Sequence, residues 1–181
     1  MEEHLGSFQV ELIRSRTANV MNDRLLLAGM LSSATLINRF FPTGQVYKEF
    51  YKSSENLFDL LQFPDIWTLG YFKWELEFLE TLGFGLDLEK CAVTGSTEDL
   101  KFISPKSGRA VSKAAAGDWS SKLLPFPIAA SGQVNSLEDI LDGLKVSQFF
   151  LEKKVLIAFG MEHLPSARSR FISSLERKIK N

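Results

Sequence analysis

Between Gly6 and Ile13 the chain alternates, with Phe8, Val10 and Leu12 at every second position, and this period predicts a half-buried strand. A lone strand has no stable existence, so it needs partners. No second strand pattern follows before Leu100. From Asn22 the period becomes helical instead. Leu27, Met30, Ala34, Ile37 and Phe41 form one apolar stripe, and Pro42-Thr43-Gly44 stops it. A second helix is predicted from about Val46 to Leu61, burying Tyr47, Phe50, Tyr51, Leu57 and Leu60. Phe63-Pro64-Asp65 breaks it and starts a third.

The third helix, Pro64 to Leu82, is apolar on two sides. One stripe holds Leu69, Phe72, Leu76 and Leu79; its neighbour holds Trp67, Tyr71, Trp74 and Phe78. Only Lys73, Glu77 and Glu80 mark a wet face. Such a helix belongs at the centre of its bundle. A fourth helical pattern begins at "NSLED", where Asn135 and Glu138 resemble a capping box. It carries Ile140, Leu144, Leu151 and Val155 toward Phe159, and a last helix spans Pro165 to Ile179.

Between these helices lies "CAVTGSTEDLKFISPKSGRAVSKAAAGD", Cys91 to Asp118. Leu100–Ile103 reads as a strand, Ser104–Gly108 as a turn with Pro early and Gly last, and Arg109–Ser112 as the returning strand. The hairpin is expected to lean on the helices through Phe102, Ile103 and Val111. Its flanks have the layout of a zinc ribbon, in which two CxxC knuckles separated by 15 to 20 residues supply four thiolates. Cys91 and Thr94 hold the first pair of positions, Ser112 and Ala115 the second, and 17 residues separate Thr94 from Ser112. Three of the four ligand positions therefore lack cysteine. His4 and His163 sit at opposite ends of the chain with no ligand spacing, so no metal is expected. Cys91 is expected as a small buried apolar residue.

Composition adds constraints. Apolar residues at 45% and charged residues at 24% describe an ordinary globular chain rather than a disordered one. The aromatic share, dominated by 15 Phe, points to core filling. A net charge of −1 provides no global attraction to nucleic acid or membrane, so such binding requires a local patch. A single cysteine excludes an internal disulfide and makes a reducing cytoplasm the expected compartment. The acidic amino terminus lacks an apolar signal core, and the runs Leu25–Leu31 and Val155–Phe159 are too short to span a bilayer.

No Walker loop, GxSxG or HExxH sequence occurs, and Gly83-Phe84-Gly85 lacks the rest of a dinucleotide fingerprint. The carboxylates are scattered and read as solvated surface. One cationic cluster stands out: Arg168, Arg170, Arg177, Lys178 and Lys180, against Glu176 alone. On a terminal helix this is either a phosphate-contacting strip or a complement to the helix dipole. Lys101, Lys106, Arg109 and Lys113 make a second, weaker patch on the hairpin.

"EHLGSFQVELIRSR", "LETLGFGLDLEKCAVTG" and "LKFISPKSGRAVS", in this order, resemble the RecO family of bacterial recombination mediators, particularly its alphaproteobacterial members. The resemblance implies an OB fold followed by an all-helical domain that is interrupted by a zinc-ribbon-like insert, which some members have stripped of cysteines. Residues 1–17 would be the last strand of that OB fold, with most of the barrel lying before Met1 in a full-length member. Residues 18–181 would be the helical domain, with its degenerate insert at 91–118. The implied fold is thus mainly α, a bundle with a small β-hairpin insert and one OB remnant strand. The implied function is non-enzymatic: helping to load RecA on single-stranded DNA and annealing complementary strands. The implied partners are a RecR-like protein, the tail of single-strand-binding protein and single-stranded DNA, in the cytoplasm at the nucleoid. The other reading of the same residues is a helical adaptor that binds protein partners and has no DNA affinity of its own.

Overall fold

The computed structural model describes residues 7–180, apart from 8, 13, 14 and 135. Gly6, Phe8 and Ile13 of the expected first strand, and His4, lie outside the described residues. Ser7 and residues 9–12 carry no regular structure, and Val10 and Leu12 are exposed. The first long helix is α1 (Arg24–Phe40), which Asp23 caps by accepting from the Leu25 and Leu26 N–H groups. It is followed by α2 (Lys48–Asp59) and α3 (Pro64–Thr81), the latter with Pro at its first position. A small sheet intervenes before α5 (Leu137–Phe150), which continues through a π turn (Leu151–Val155) into α6 (Leu156–Ala158). The last helix is α7 (Ser166–Lys180).

As expected from its doubly apolar pattern, α3 is the central helix and packs against α1, α2 and α5. Trp67, Tyr71, Phe72, Trp74, Phe78 and Leu79 are all buried on it, while Lys73, Glu77 and Glu80 are exposed. The indole N–H groups do not go unmet. Trp67 donates to the Leu57 carbonyl and Trp74 to Ser54 Oγ, both at 3.0 Å, which ties α2 to α3. On α2, Phe50 and Leu57 are buried, but Tyr51 is 65% exposed, contrary to expectation.

The buried face of α1 lies one residue away from the stripe that hydropathy selects. It consists of Leu25, Leu26, Gly29, Ser32, Ser33, Leu36 and Phe40, whereas Leu27, Met30, Ile37 and Phe41 are only half-buried and Ala34 is exposed. The reason is shape. Small residues on α1 admit the large rings of its neighbours, and a β-carbon at Gly29 would fall 2.3 Å from the Trp67 ring and 3.0 Å from Phe171. Gly143 of α5 does the same for Phe72, whose ring is 2.8 Å from where a β-carbon would stand.

A polar network runs through this apolar centre. Glu75 of α3 and Arg168 of α7 are fully buried and joined by two bonds, Nε to Oε2 and Nη2 to Oε1, each 2.8 Å. Ser147 of α5 donates to Oε1 at 2.5 Å, and Tyr71 donates to Oε2 at 3.2 Å. Because the Tyr71 proton is committed to the carboxylate, the 2.7 Å contact with Ser32 of α1 runs from the serine to the tyrosine. Arg168 also donates to the Leu144 carbonyl and to Gln148 Oε1. Burial opposes the charge on Arg168, but Glu75 outweighs it and keeps the guanidinium charged. Burial, then the Glu75 charge, pushes the Tyr71 hydroxyl well above its ordinary pKa. Among the described residues no buried side-chain N or O atom lacks a partner.

The remaining elements follow local rules. Ser136 caps α5, its Oγ accepting from Asp139 N while Asp139 accepts from Ser136 N, so the capping box sits one residue after the Asn135–Glu138 pair expected. Asn135 itself lies outside the described residues. The π turn adds a residue to one helical turn and brings Leu151, Val155 and Leu156 onto the core side together. The sheet has β1 (Leu100–Ile103) in the middle, antiparallel to β2 (Ala110–Ser112) on one side and β3 (Leu124–Pro125) on the other. The last of these escaped the sequence reading because it is two residues long and contains a proline, which only an edge strand tolerates.

Two stability measurements test this account. Arg168→Leu alone is expected to cost about 3–5 kcal/mol in urea unfolding, and adding Glu75→Leu to recover much of that loss. A single variant as stable as the parent chain would show that the pair does not constrain the core. For Gly29→Ala, helix propensity by itself predicts a gain of about 1 kcal/mol. The Trp67 contact predicts a net loss of about 1–3 kcal/mol instead, so the sign of the change in midpoint decides between them.

Candidate functional site

The insert is built on two short turns, one at Cys91 and one at Ser112. Cys91 opens the first knuckle: Gly95, at φ +74°, donates its N–H to the Cys91 carbonyl, and Cys91 donates to Ser96 O. Ser112 opens the second by capping the short helix α4 (Lys113–Ala116), its hydroxyl accepting from Ala115 N. The two turns meet at the Cys91 sulfur, which accepts from the Ser112 N–H at 3.3 Å. Burial works against a thiolate there. The hydroxyls of Ser112 and Thr94 and their backbone N–H groups overcome it and hold the Cys91 thiol down to about 6. Cys91 is buried as expected, yet it is a hydrogen-bond acceptor rather than a purely apolar residue.

Around that sulfur, Val111 and Ala116 form a small separate core, flanked by Leu100, Phe102, Ala115 and Leu123. Of the three residues expected to lean on the helices, only Ile103 enters the main core; Phe102 and Val111 turn toward Cys91. Thus the apolar cluster and the shared sulfur join the two turns. Among the described residues, no three His, Cys, Asp or Glu side chains are grouped so as to hold a metal ion.

The expected cationic residues separate into distinct places. On the insert, Lys101, Lys106 and Lys113 are exposed, whereas Arg109 is half-buried and bound to Asp87 at 3.2 Å. Lys106 stands beside a hollow whose walls include Phe84, Gly85, Gly108, Phe150 and Lys154. On α7, Arg170, Arg177, Lys178 and Lys180 are exposed. Arg168 is not part of any surface strip, because it shares the inward stripe with Phe171 and Leu175. The i, i+3, i+7 spacing of these three residues was the available signal, and the cationic run around Arg168 masked it.

Glu75 was missed among carboxylates read as solvated, although its position beside Phe72, Phe78 and Leu79 on a doubly apolar helix was the available signal. Arg24 and Arg39 were missed as well. Each stands in a cleft between α1 and α7, and they are too far apart in sequence to read as a cluster. His163 is exposed, 4.0 Å from Glu162. No helix of the described residues is long and apolar enough to cross a membrane.

Comparison with known proteins agrees with this architecture. The family described as "Recombination protein O C terminal" matches residues 21–160. The chain is 45% identical over 181 residues to the DNA repair protein RecO of Ruegeria sp. (strain TM1040), covering 99% of this chain and 75% of that protein. It is 43% identical over 179 residues to the DNA repair protein RecO of Jannaschia sp. (strain CCS1), with 99% and 73% covered. The same-named protein of Roseobacter denitrificans is 41% identical over 180 residues, with 99% and 75% covered. No solved structure matches the chain. The domain match and the relatives aligned along its whole length together establish that this chain belongs to the RecO family.

Proposed function

We propose that this chain is a DNA repair and recombination mediator that works by binding rather than by catalysis. The observation that carries the reading is the 41–45% identity, across nearly all of the chain, to proteins named DNA repair protein RecO. In this reading the chain helps to load RecA on single-stranded DNA, supports annealing, and works with a RecR-like partner. Residues 1–17 are read as the end of an OB fold, of the kind whose five strands present a nucleic-acid face.

Two surfaces divide the work. The exposed cations of α7 serve DNA phosphates. The hollow beside the hairpin serves the acidic, aromatic-ended tail of single-strand-binding protein, since Phe84 and Phe150 offer apolar walls and Lys106 and Lys154 a cationic rim. Lys101 and Lys113 extend that rim along the insert, and Arg109 contributes less because Asp87 already neutralises it. The chain does this without zinc: a metal needs several donors at one point, and around Cys91 the other ribbon positions hold Thr94, Ser112 and Ala115.

Binding of a fluorescent single-stranded oligonucleotide across a salt series tests the function. Four phosphate contacts give a slope of log K against log salt of about −3. A chain with no salt-sensitive DNA binding that still captured its protein partners would be the adaptor of the alternative reading. The zinc reading has a separate check. The purified chain is expected to contain no stoichiometric zinc, and Thr94→Cys, Ser112→Cys and Ala115→Cys together to create a one-zinc site. One zinc per unmodified chain would refute it.

A further inference from the structure

Helices α1 and α7 lie side by side and antiparallel. Asn22–Leu25 at the start of α1 share a cleft with Ser174, Arg177 and Lys178 near the end of α7. Thr35 and Arg39 near the end of α1 share another with Ser166, Ala167 and Arg170 at the start of α7. Cations therefore stand at both ends of one helix–helix seam. Arg24 and Arg39 are fifteen residues apart, about 22 Å along the helix. Arg170 and Arg177 are seven apart, two turns of the same face.

These arginines differ from the other described ones. Arg16, Arg109 and Arg168 are each bound to a carboxylate, whereas Arg24, Arg39, Arg170 and Arg177 make no ion pair among the described residues. Among the described residues, the hydrogen bonds of the Arg170 and Arg177 side chains go to serines of their own helix: Ser166 Oγ, the Ser173 carbonyl and Ser174 Oγ. Helix α1 contains no acidic residue and α7 only Glu176. The one carboxylate lining either cleft, Asp23, accepts the N–H groups of Leu25 and Leu26 through Oδ1. Leaving four guanidinium groups unpaired on one seam, in a chain of net charge −1, preserves a positive strip for a polyanion.

We infer that the α1–α7 seam is a sequence-independent binding surface for the phosphodiester backbone of nucleic acid, formed by Arg24, Arg39, Arg170, Arg177 and Lys178. The inference rests on the DNA-binding reading above and adds α1 to it. The two clefts are lined by Thr35, Ser166 and Ser174 as well as the cations, and by no Phe, Tyr or Trp. Hydroxyls and guanidinium groups suit phosphate oxygens, while the absence of rings removes base stacking and the apolar socket that an aromatic-ended peptide needs. A 22 Å span matches about six phosphates of one strand of a duplex at 3.4 Å each.

The test uses the whole chain with single- and double-stranded oligonucleotides of two unrelated sequences, titrated between 50 and 200 mM salt by anisotropy. Arg39→Gln with Arg170→Gln removes one end of the seam, and Arg24→Gln with Arg177→Gln removes the other. Each double variant is expected to reduce the salt slope by about 1.4 on single strands or 1.8 on duplex. Both sequences should lose affinity alike and the melting temperature should stay unchanged, since all four side chains are off the core. Lys101→Gln with Lys106→Gln on the insert should leave the slope as it was. Failure of the parent chain to bind DNA overturns this inference together with the DNA-binding reading. Parent-like slopes in both seam variants overturn the seam alone. Binding of an acidic peptide at the seam, lost in the same variants while DNA binding persists, would reassign the surface to a protein ligand.

Discussion

The bundle depends on one buried bidentate bond, between Glu75 and Arg168. It joins residues 93 positions apart, and its satellites reach α1 through Ser32 and Tyr71 and α5 through Ser147, Leu144 and Gln148. Burying two charges carries a large desolvation cost, so the pair is poor ballast for stability compared with a packed apolar substitute. Its consequence is positional. With every acceptor and donor met in one geometry, α7 cannot slide or rotate against α3 without leaving a buried charge unpaired. That in turn determines which side of α7 remains outside.

Packing around the pair obeys the same demand for one arrangement. Gly29 and Gly143 are sockets for Trp67 and Phe72, and neither tolerates even a methyl group without displacement of a ring. The small residues of α1 thus set how near α3 and α7 approach. The insert solves its own problem separately: too small to bury much, it closes around the Cys91 sulfur and a few side chains, with Ile103 anchoring it to the helices. A hydrogen bond from Ser112 N–H to the Cys91 sulfur supplies the cross-connection between its two turns.

The proposed function rests on what this core leaves over. The cations that the bundle uses internally, Arg168 above all, are inseparable from its fold. The ones it does not use line the seam between the helices that the buried pair aligns.

Much was legible beforehand. Helix positions followed from the 3.6 period and from Pro and Gly stops, the hairpin from Pro105 and Gly108, and the centrality of α3 from its two apolar stripes. What hydropathy misjudged was orientation. It turned α1 by one residue, because a glycine and two serines outcompeted Leu27 and Met30 for the face against the rings. It also left Glu75 and Arg168 outside, because a charge looks solvated until its partner is known.

The sequence by itself determined the long helices, the hairpin, their order and the family, since periodicity, turn chemistry and ordered motifs are local properties of the chain. Only the tertiary structure decided which charges are structural and which are available. That choice depends on pairings such as Glu75 with Arg168, and no local pattern records a partner 93 residues away.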